Sequence, residues 1–283
     1  MQKSKLQLKT KNLIKQALAE DVGSGDITTN AIVPADQKAN AIIMVKENGV
    51  IAGLDVAKEV FLTIDKRISF ISKIKDGAGV KKGQIVAELS GPARGILTGE
   101  RAALNFLQHL SGIATLTDKF VLQAGRVTIL DTRKTIPGLR MLEKYAVKMG
   151  GGQNHRMGLF DAVLIKDNHI EIARGVERAV EGIRRAYKGK KPLEVEAKTM
   201  AEVREAIKGK ADRILLDNMS VKTLRQAIKL CKKAKIKTEA SGGVNLENIR
   251  AIAKTGVDYV SIGALTHSAK ALDISLKIIS IKE

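Results

Sequence analysis

Five basic side chains come from two strand ends and the glycine-rich loop between them. They are Arg133, Lys134, His155, Arg156 and Lys166. Arginine binds planar carboxylates through two parallel hydrogen bonds, and lysine supplies a point charge suited to phosphate. Gathering five such side chains at one mouth is costly unless an anion of high charge occupies it. The set therefore predicts a site for a polyanionic small molecule, although His155 alone could equally be a buried core histidine.

Two serine–glycine turns follow apolar stretches near the carboxyl end of the sequence. One is Ser241-Gly242-Gly243, and the other is Ser261-Ile262-Gly263. Glycine lets backbone N–H groups approach an anion closely, and the N-terminus of a following helix adds a favourable dipole. One such turn could be an ordinary tight turn, but two of them after the last two strands of a barrel predict a phosphate site.

Two carboxylates, Glu196 and Asp217, also follow apolar stretches. They are either ion-pair partners of the many cations or oxygen ligands for Mg²⁺ and ribose hydroxyl groups. The sequence contains no nucleophile elbow, Walker loop, Rossmann fingerprint, zincin helix or cysteine–histidine zinc cluster. The residues therefore favour a reaction that depends on positioning and charge stabilisation rather than on covalent or hydrolytic catalysis.

All of these residues come at the ends of alternating strand and helix patterns. Apolar runs predict strands at residues 127–130, 162–165, 193–195, 214–216, 238–240 and 259–262. Amphipathic stretches predict helices at residues 172–187, 200–207, 221–232 and 246–254. This alternation requires a parallel sheet, and its length favours a closed or nearly closed α/β barrel. Charged, amide or glycine residues follow every strand, so we expect them at the face where barrel enzymes place their chemistry.

The first 110 residues show a different pattern. Short strands are predicted at residues 41–45, 50–52 and 85–89, with a chain break at 91–94 and a helix at 99–110. The closing residues 269–281 have apolar residues at helical spacing. We therefore expect a smaller domain over residues 1–110, with residues 269–283 packed on it, and a barrel domain over residues 111–268.

The net charge of +19 allows nucleic-acid binding, an acidic small-molecule substrate or a solvated basic surface. Aromatic residues are only 3% of the chain and tryptophan is absent, so there is little material for stacking on bases. A basic RNA-binding protein built on an inactive barrel would bind RNA in a salt-dependent way through a patch away from the barrel mouth. That hypothesis does not explain why Glu196, Asp217 and the two glycine turns coincide.

The compartment is predicted from cysteine usage and hydropathy. The single cysteine, Cys231, excludes a disulfide framework and fits a reducing cytoplasm. No apolar run approaches the roughly 20 residues needed to cross a bilayer. The basic N-terminus lacks the apolar stretch of a signal peptide and is typical of an amphipathic helix. We expect a cytoplasmic protein that binds neither membrane nor nucleic acid.

Several motifs resemble those of one enzyme family. They are EDVGSGDITT (residues 20–29), ERAALNFL (100–107), DTRKTIPGLR (131–140), GGQNHR (151–156), LIKDNH (164–169) and ASGG (240–243). In this order and spacing they are similar to the quinolinate phosphoribosyltransferases, the carboxylating nicotinate-nucleotide pyrophosphorylases, from about residue 13 to 275. The resemblance implies a small N-terminal α/β sandwich domain followed by an open, seven-stranded α/β barrel of the type II phosphoribosyltransferase kind. It also implies a transferase of pyridine nucleotide and NAD biosynthesis.

The resemblance implies how quinolinate would be held. Arg133, His155 and Arg156 would bind its two carboxylates. Arg101, from the ERAALNFL helix, would reach into the neighbouring subunit's pocket, so the enzyme would be at least a homodimer. Whether dimers assemble further into a hexamer stays open.

The resemblance also implies the site of phosphoribosyl pyrophosphate. Lys134 and Lys166 would add positive charge near both substrates, and Glu196 and Asp217 would bind the ribose hydroxyls and Mg²⁺. These four are the expected catalytic residues. The residues expected around the 5′-phosphate are Ser241, Gly242, Gly263 and His267.

The expected reaction joins two polyanions and releases pyrophosphate and carbon dioxide. A related phosphoribosyltransferase acting on another ring acid, such as nicotinate, or a family relative with a role beside molybdate transport is the alternative within the family. The full set of Arg133, His155 and Arg156 favours a dicarboxylate, because one carboxylate would leave part of the set unpaired. The order of substrate binding and any assistance to decarboxylation stay open.

Overall fold

The computed structural model describes residues 2–187 and 191–282; Met1, Lys188, Gly189, Lys190 and Glu283 lie outside the described residues. The helices, in chain order, are α1 (Gln2–Val22), α2 (Ile27–Ile32), α3 (Leu54–Ile64), α4 (Ala93–Ala124), α5 (Arg140–Met149), α6 (Asp167–Ala173), α7 (Val176–Tyr187), α8 (Met200–Lys208), α9 (Val221–Lys233), α10 (Ile249–Ala253) and α11 (Ala264–His267). The strands are β1 (Lys38–Val45), β2 (Gly49–Val50), β3 (Ser69–Ser72), β4 (Gly79–Val80), β5 (Ile85–Pro92), β6 (Thr128–Leu130), β7 (Val163–Ile165), β8 (Leu193–Ala197), β9 (Arg213–Asp217), β10 (Lys237–Ser241), β11 (Tyr259–Ser261) and β12 (Ile274–Lys282). In the described ranges, no helix combines the length and the apolar character needed to span a membrane.

The chain divides into two compact units. The first contains Met1–Asp118, Ile136–Gly151 and Ser268–Glu283, and the second contains Lys119–Thr135 and Gly152–His267. The predicted bounds of the barrel domain, residues 111–268, include the residues of helix α5. The structure assigns this helix to the first unit instead. Its polar residues explain the assignment. Glu143 Oε1 lies 2.9 Å from His109 Nε2, and the Tyr145 hydroxyl donates a 2.6 Å hydrogen bond to Asp76.

The first unit is built on a four-stranded antiparallel sheet in the order β12-β1-β5-β3. In β1 buried positions alternate with more exposed ones, because neighbouring side chains of a strand point to opposite faces. The helical spacing predicted for residues 269–281 is wrong, since residues 274–282 form β12. Isoleucine, which favours strands, recurs in this segment, and β1 offers it a partner along nearly its whole length.

The second unit is built on a six-stranded parallel sheet in the order β6-β11-β10-β9-β8-β7. All six strands predicted from apolar runs are confirmed, with shifts of one or two residues at their ends. Strands β6 and β7 stand at the two edges, so the barrel is open. The resemblance implies seven strands. Six strands form in the described residues. At the position next to β6, where a seventh strand would pair, only Gln153 makes a parallel bridge, to Leu130.

The remaining differences concern helix ends and short strands. Helix α4 begins directly after Pro92 and runs to Ala124, well beyond the predicted residues 99–110. The helix predicted at 172–187 is divided into α6 and α7, because Arg174 and Gly175 both have positive φ, at 59° and 130°. The short strands β3 and β4 were not predicted. Each of these differences depends on contacts or backbone angles that apolar patterns do not report.

Candidate active site

A cavity of about 800 Å³ opens where the parallel strands of the second unit end. The polar strand ends therefore do lie together, as parallel strands require. Eleven of the twelve predicted site residues line this cavity: Arg133, Lys134, His155, Arg156, Lys166, Glu196, Asp217, Ser241, Gly242, Gly263 and His267. The twelfth, Arg101, lies on α4 in the first unit, and 59% of its side chain is exposed. Its action across a dimer stays a prediction.

The glycine-rich loop that carries two of the basic residues is anchored by a buried carboxylate. Asp131 follows β6 and is fully buried. It accepts a 2.5 Å hydrogen bond from Asn154 Nδ2 and a 2.9 Å hydrogen bond from the His155 backbone N–H. The backbone of Gln153 bonds to Ile129 and Asp131 on either side of Leu130. The loop is therefore held against the end of β6. This contact fixes the backbone from which the side chains of His155 and Arg156 extend.

Two guanidinium groups face the cavity close to one another. Burial lowers the pKa of Arg156, and the positive charge of Arg133 lowers it further. The Nε of Arg133 is buried and donates a hydrogen bond to no residue in the described part of the chain. An unsatisfied buried donor is destabilising, so this arrangement fits a bound anion that completes it. A carboxylate is the group that such a planar donor matches.

Lys134 is packed beside the second glycine turn. The Thr266 hydroxyl donates a 2.7 Å hydrogen bond to the Lys134 carbonyl oxygen. A Cβ atom at position 263 would lie 2.9 Å from Lys134 Cδ and 3.1 Å from His267 Nε2. Glycine at 263 therefore lets the lysine and histidine side chains approach the backbone closely. This brings positive charge to the turn predicted to bind phosphate.

The first glycine turn depends on its glycines for a different reason. Gly242 and Gly243 have φ of 89° and 60°, a region that side chains disfavour. A Cβ atom at 242 would also overlap the side-chain amide of Asn218. The backbone N–H of Asn218 donates a 2.9 Å hydrogen bond to the Ser241 carbonyl oxygen. In the described ranges, the amides of Gly242 and Gly243 donate to no carbonyl. Such free amides suit a phosphate.

Glu196 and Asp217 form the acidic part of the cavity. Glu196 is buried, with 8% exposed. Burial raises the pKa of Glu196, the negative charge of Asp217 raises it further, and the positive charge of Lys166 opposes them. Two carboxylates that repel one another fit a hard cation such as Mg²⁺, which would reduce the repulsion.

The buried charged network that surrounds His155 at the floor of the cavity was not predicted. Glu194 and Glu239, on β8 and β10, lie near His155, and Arg213 on β9 pairs with Glu239 at 3.0 Å. One ligand atom from each of His155, Glu194 and Glu239 lies within 4.8 Å of the others, a spacing that a metal ion could bridge. Arg213 already neutralises Glu239, so an ion pair network explains the cluster better. The signal in the sequence was a charged residue in each of three consecutive strands: Glu194 inside β8, Arg213 at the start of β9 and Glu239 in the middle of β10.

The pKa values of His155, Glu194 and Glu239 are shifted by their contacts within this network. Burial acts to lower the pKa of His155, but hydrogen bonding and charge from Glu194 and Glu239 raise it above its usual value. Burial acts against ionisation of Glu194 too, yet the hydrogen bond and charge of His155 keep its pKa below the usual value. Burial, followed by the charge of Glu194, raises the pKa of Glu239 to about 7. Near neutral pH Glu239 is therefore protonated in part of the molecules and ionised in the rest.

The fold and the cavity define a class of protein. It is an α/β-barrel enzyme whose site, at the carboxyl ends of the strands, combines guanidinium groups, lysine side chains and glycine turns. Two family models match the chain: the quinolinate phosphoribosyl transferase N-terminal domain over residues 26–111, and the C-terminal domain over residues 113–277. The chain belongs to the quinolinate phosphoribosyl transferase family. The resemblance seen in its motifs is thereby confirmed.

Known proteins of this family are similar over nearly the whole chain. The probable nicotinate-nucleotide pyrophosphorylase (carboxylating) of Bacillus subtilis is 47% identical over 273 residues, which are 96% of this chain and 94% of the relative. Quinolinate phosphoribosyltransferase (decarboxylating) 1b of Nicotiana tabacum is 45% identical over 95% of this chain and 82% of its own. The crystal structure of NadC from Streptococcus pyogenes superposes with a TM-score of 0.91 at 44% identity, covering 96% of this chain and 95% of that one.

Proposed function

We propose that the protein transfers the phosphoribosyl group of phosphoribosyl pyrophosphate to quinolinate and releases pyrophosphate and carbon dioxide. The product is nicotinate mononucleotide, a precursor in de novo NAD biosynthesis. Family membership supports the reaction, and the relatives named above carry the same activity in their names. The observation that carries the proposal is the pair of neighbouring guanidiniums, Arg133 and Arg156, one with an unsatisfied buried Nε.

The residues divide between the two substrates. Arg133 and Arg156 bind the carboxylates of quinolinate, with His155 beside them, and Lys166 adds charge between the acid and the leaving group. Lys134 lies next to the turn at Gly263, so it can approach phosphate oxygens. The residues proposed for the 5′-phosphate are Ser241, Gly242, Gly263 and His267. This cationic site reduces the repulsion between two polyanions, which is a main obstacle to their meeting.

The chemistry needs no covalent intermediate with the protein. The lone pair of the pyridine nitrogen forms a bond to C1 of the ribose while the C1–oxygen bond breaks and its electrons leave with pyrophosphate. Lysine charge stabilises that departing group. The new pyridinium then accepts the electron pair of the adjacent C–CO₂ bond, carbon dioxide leaves, and the ring carbon takes a proton. Trapping of a labelled ribosyl adduct on the protein would refute this sequence.

We propose that Glu196 and Asp217 hold Mg²⁺ together with the ribose hydroxyls. The support is their mutual repulsion at a buried edge of the cavity, which a cation relieves. Bound there, Mg²⁺ would neutralise charge on the pyrophosphate. The positive charge of Lys166 opposes the rise in the pKa of Glu196.

We also propose a homodimer in which Arg101 enters the partner's pocket. Arg101 is exposed on α4, and its nearest acidic partner, Glu100, is 4.0 Å away, so its guanidinium is not tightly paired with that carboxylate. The proposal leaves further assembly into a hexamer open. A cytoplasmic location is proposed as well, because the one cysteine, Cys231, is buried and unbridged, as is usual in a reducing compartment.

The proposed function is tested by substrate discrimination. The protein is mixed with Mg²⁺, phosphoribosyl pyrophosphate and either quinolinate or nicotinate, and pyrophosphate release is followed. Release with quinolinate alone is expected. Release with nicotinate alone would retain the phosphoribosyl transfer and overturn the dicarboxylate assignment, and no release with either acid would overturn the function. In the same assay Lys134→Ala should lower turnover on the order of a hundredfold or more without unfolding the protein.

A further inference from the structure

A layer of four ionisable side chains lies at the floor of the cavity, three of them on neighbouring strands and the fourth on the glycine-rich loop. Glu194 on β8 is the register partner of Arg213 on β9, and Glu239 on β10 receives a 3.0 Å bond from Arg213 Nη1. The Arg213 guanidinium also lies 4.1 Å from the centre of the Tyr259 ring. His155 completes the layer, with Nε2 at 3.1 Å from Glu194 and 3.6 Å from Glu239.

The layer is expensive to bury. Glu239 is fully buried and Glu194 is 8% exposed, and one carboxylate oxygen of each has no hydrogen-bond donor among the described residues. The interior of an α/β barrel is ordinarily filled with branched apolar side chains. Replacing a buried ion-pair network by apolar residues is often neutral or stabilising. Stability therefore does not account for two glutamates here.

His155 connects this layer to the cavity. Its backbone N–H donates to Asp131 at 2.9 Å, and its Nδ1 accepts a 2.7 Å hydrogen bond from the backbone N–H of Arg156. Its Nε2 faces Glu194 and Glu239. The ring is thus held on both sides, and on one side its partner is the backbone N–H of Arg156. The Arg156 side chain, which also donates to the Ala162 carbonyl at 3.3 Å, starts from that backbone.

We propose that Glu194 and Glu239 are positioning residues for recognition of the quinolinate carboxylates, which they serve by fixing His155 and, through it, Arg156. This inference rests on the proposed function and deepens it. Glu194 and Glu239 act on the carboxylates through His155, although Glu239 also lines the cavity. They set the direction from which the guanidinium of Arg156 meets a carboxylate. Arg213 holds Glu239 in turn.

The proposal predicts that the two substrates respond differently. The turns at Gly242 and Gly263 and the side chain of Lys134, which serve the phosphates, make no contact with His155 among the interactions described above. Glu239 also accepts a hydrogen bond from Ser261 beside the turn at Gly263, and a glutamine oxygen at 239 can still accept it. Loss of the charge at 239 should therefore weaken quinolinate binding and leave phosphoribosyl pyrophosphate binding nearly unchanged. A purely structural role would impair both substrates together, or would lower stability.

The decisive variant is Glu239→Gln, which keeps the shape and cannot ionise. It is assayed at about pH 8, where the wild-type carboxyl, with its pKa of about 7, carries a charge. Wild type, the variant and a matched control, Glu247→Gln at an exposed position, are compared by steady-state kinetics and thermal unfolding. We expect the KM for quinolinate to rise about tenfold or more, as for loss of a buried charged hydrogen-bond partner. The KM for phosphoribosyl pyrophosphate should stay within about twofold, and the control should match wild type.

The outcomes separate this inference from the function itself. An active wild type with an unchanged quinolinate KM in Glu239→Gln would overturn the inference alone, as would an equal rise in both KM values. A wild type without turnover on quinolinate would overturn both. If Glu239→Gln fails to fold, Glu194→Gln is read by the same two KM values, because Glu194 is the closer partner of His155.

Discussion

The pH dependence of stability provides a sharp test of the buried network. In the folded protein the pKa of Glu239 is about 7, against an ordinary value of 4.5, chiefly because the side chain is buried and secondly because Glu194 is negatively charged. The folded state therefore keeps a proton that the unfolded chain releases as pH rises above 4.5. We predict that Glu239→Gln removes a pH-dependent loss of stability that wild type shows.

The sign and size follow from proton linkage. Because the pKa of Glu239 is raised in the fold, its contribution favours the folded state at acid pH and is lost as pH rises through about 7. At 1.36 kcal/mol per pH unit, the full loss is about 3 kcal/mol. The raised pKa of His155 acts in the same direction, since protonation of the imidazole is favoured in the fold. The lowered pKa of Glu194 acts oppositely, but below pH 4.5, outside this window.

The assay is urea unfolding at several pH values. Between about pH 5 and about pH 8 the free energy of unfolding of Glu239→Gln should rise by about 2–3 kcal/mol relative to wild type. Glu247→Gln, at an exposed position, should run parallel to wild type. Parallel curves for wild type and Glu239→Gln would refute the assignment of a proton to the buried pair.

Three further predictions concern the loops and the dimer. Gly242→Ala, with φ of 89° and a Cβ overlapping Asn218, should raise the KM for phosphoribosyl pyrophosphate on the order of tenfold in steady-state kinetics; an unchanged KM would contradict the phosphate assignment. Asp131→Ala should lower the free energy of urea unfolding by about 2–4 kcal/mol, because two donors lose their acceptor. The inactive variants Arg101→Ala and Lys134→Ala are unfolded and refolded together, so that their subunits exchange. About a quarter of wild-type activity should return, because about half of the dimers are mixed and each mixed dimer has one intact shared site. No recovery would oppose a shared site.

The barrel and most of its pocket could be predicted because both are encoded locally. The middle residues of these parallel strands are buried, most of them are apolar, and the polar end of each strand follows directly in the sequence. The strand ends of a parallel sheet must meet at one face, so eleven residues could be placed together without coordinates. The family motifs then specified which anion each residue would bind.

The features that were missed depend on pairing between distant segments. Residues 274–282 have apolar residues compatible with either period, and only the edge of β1 decides for a strand. The network of Glu194, Arg213 and Glu239 arises because β8, β9 and β10 are neighbours in a particular register. No single strand carries that information. The missing seventh strand is likewise a matter of one bridging residue, Gln153.

Transfer of the phosphoribosyl group and loss of a carboxylate should take place in the same site. The decisive measurement is an incubation of the protein and Mg²⁺ with phosphoribosyl pyrophosphate and quinolinate labelled in the 2-carboxylate. We expect labelled carbon dioxide and pyrophosphate in equal amounts, with nicotinate mononucleotide as the product. Pyrophosphate release without labelled carbon dioxide, or neither product, would contradict this expectation.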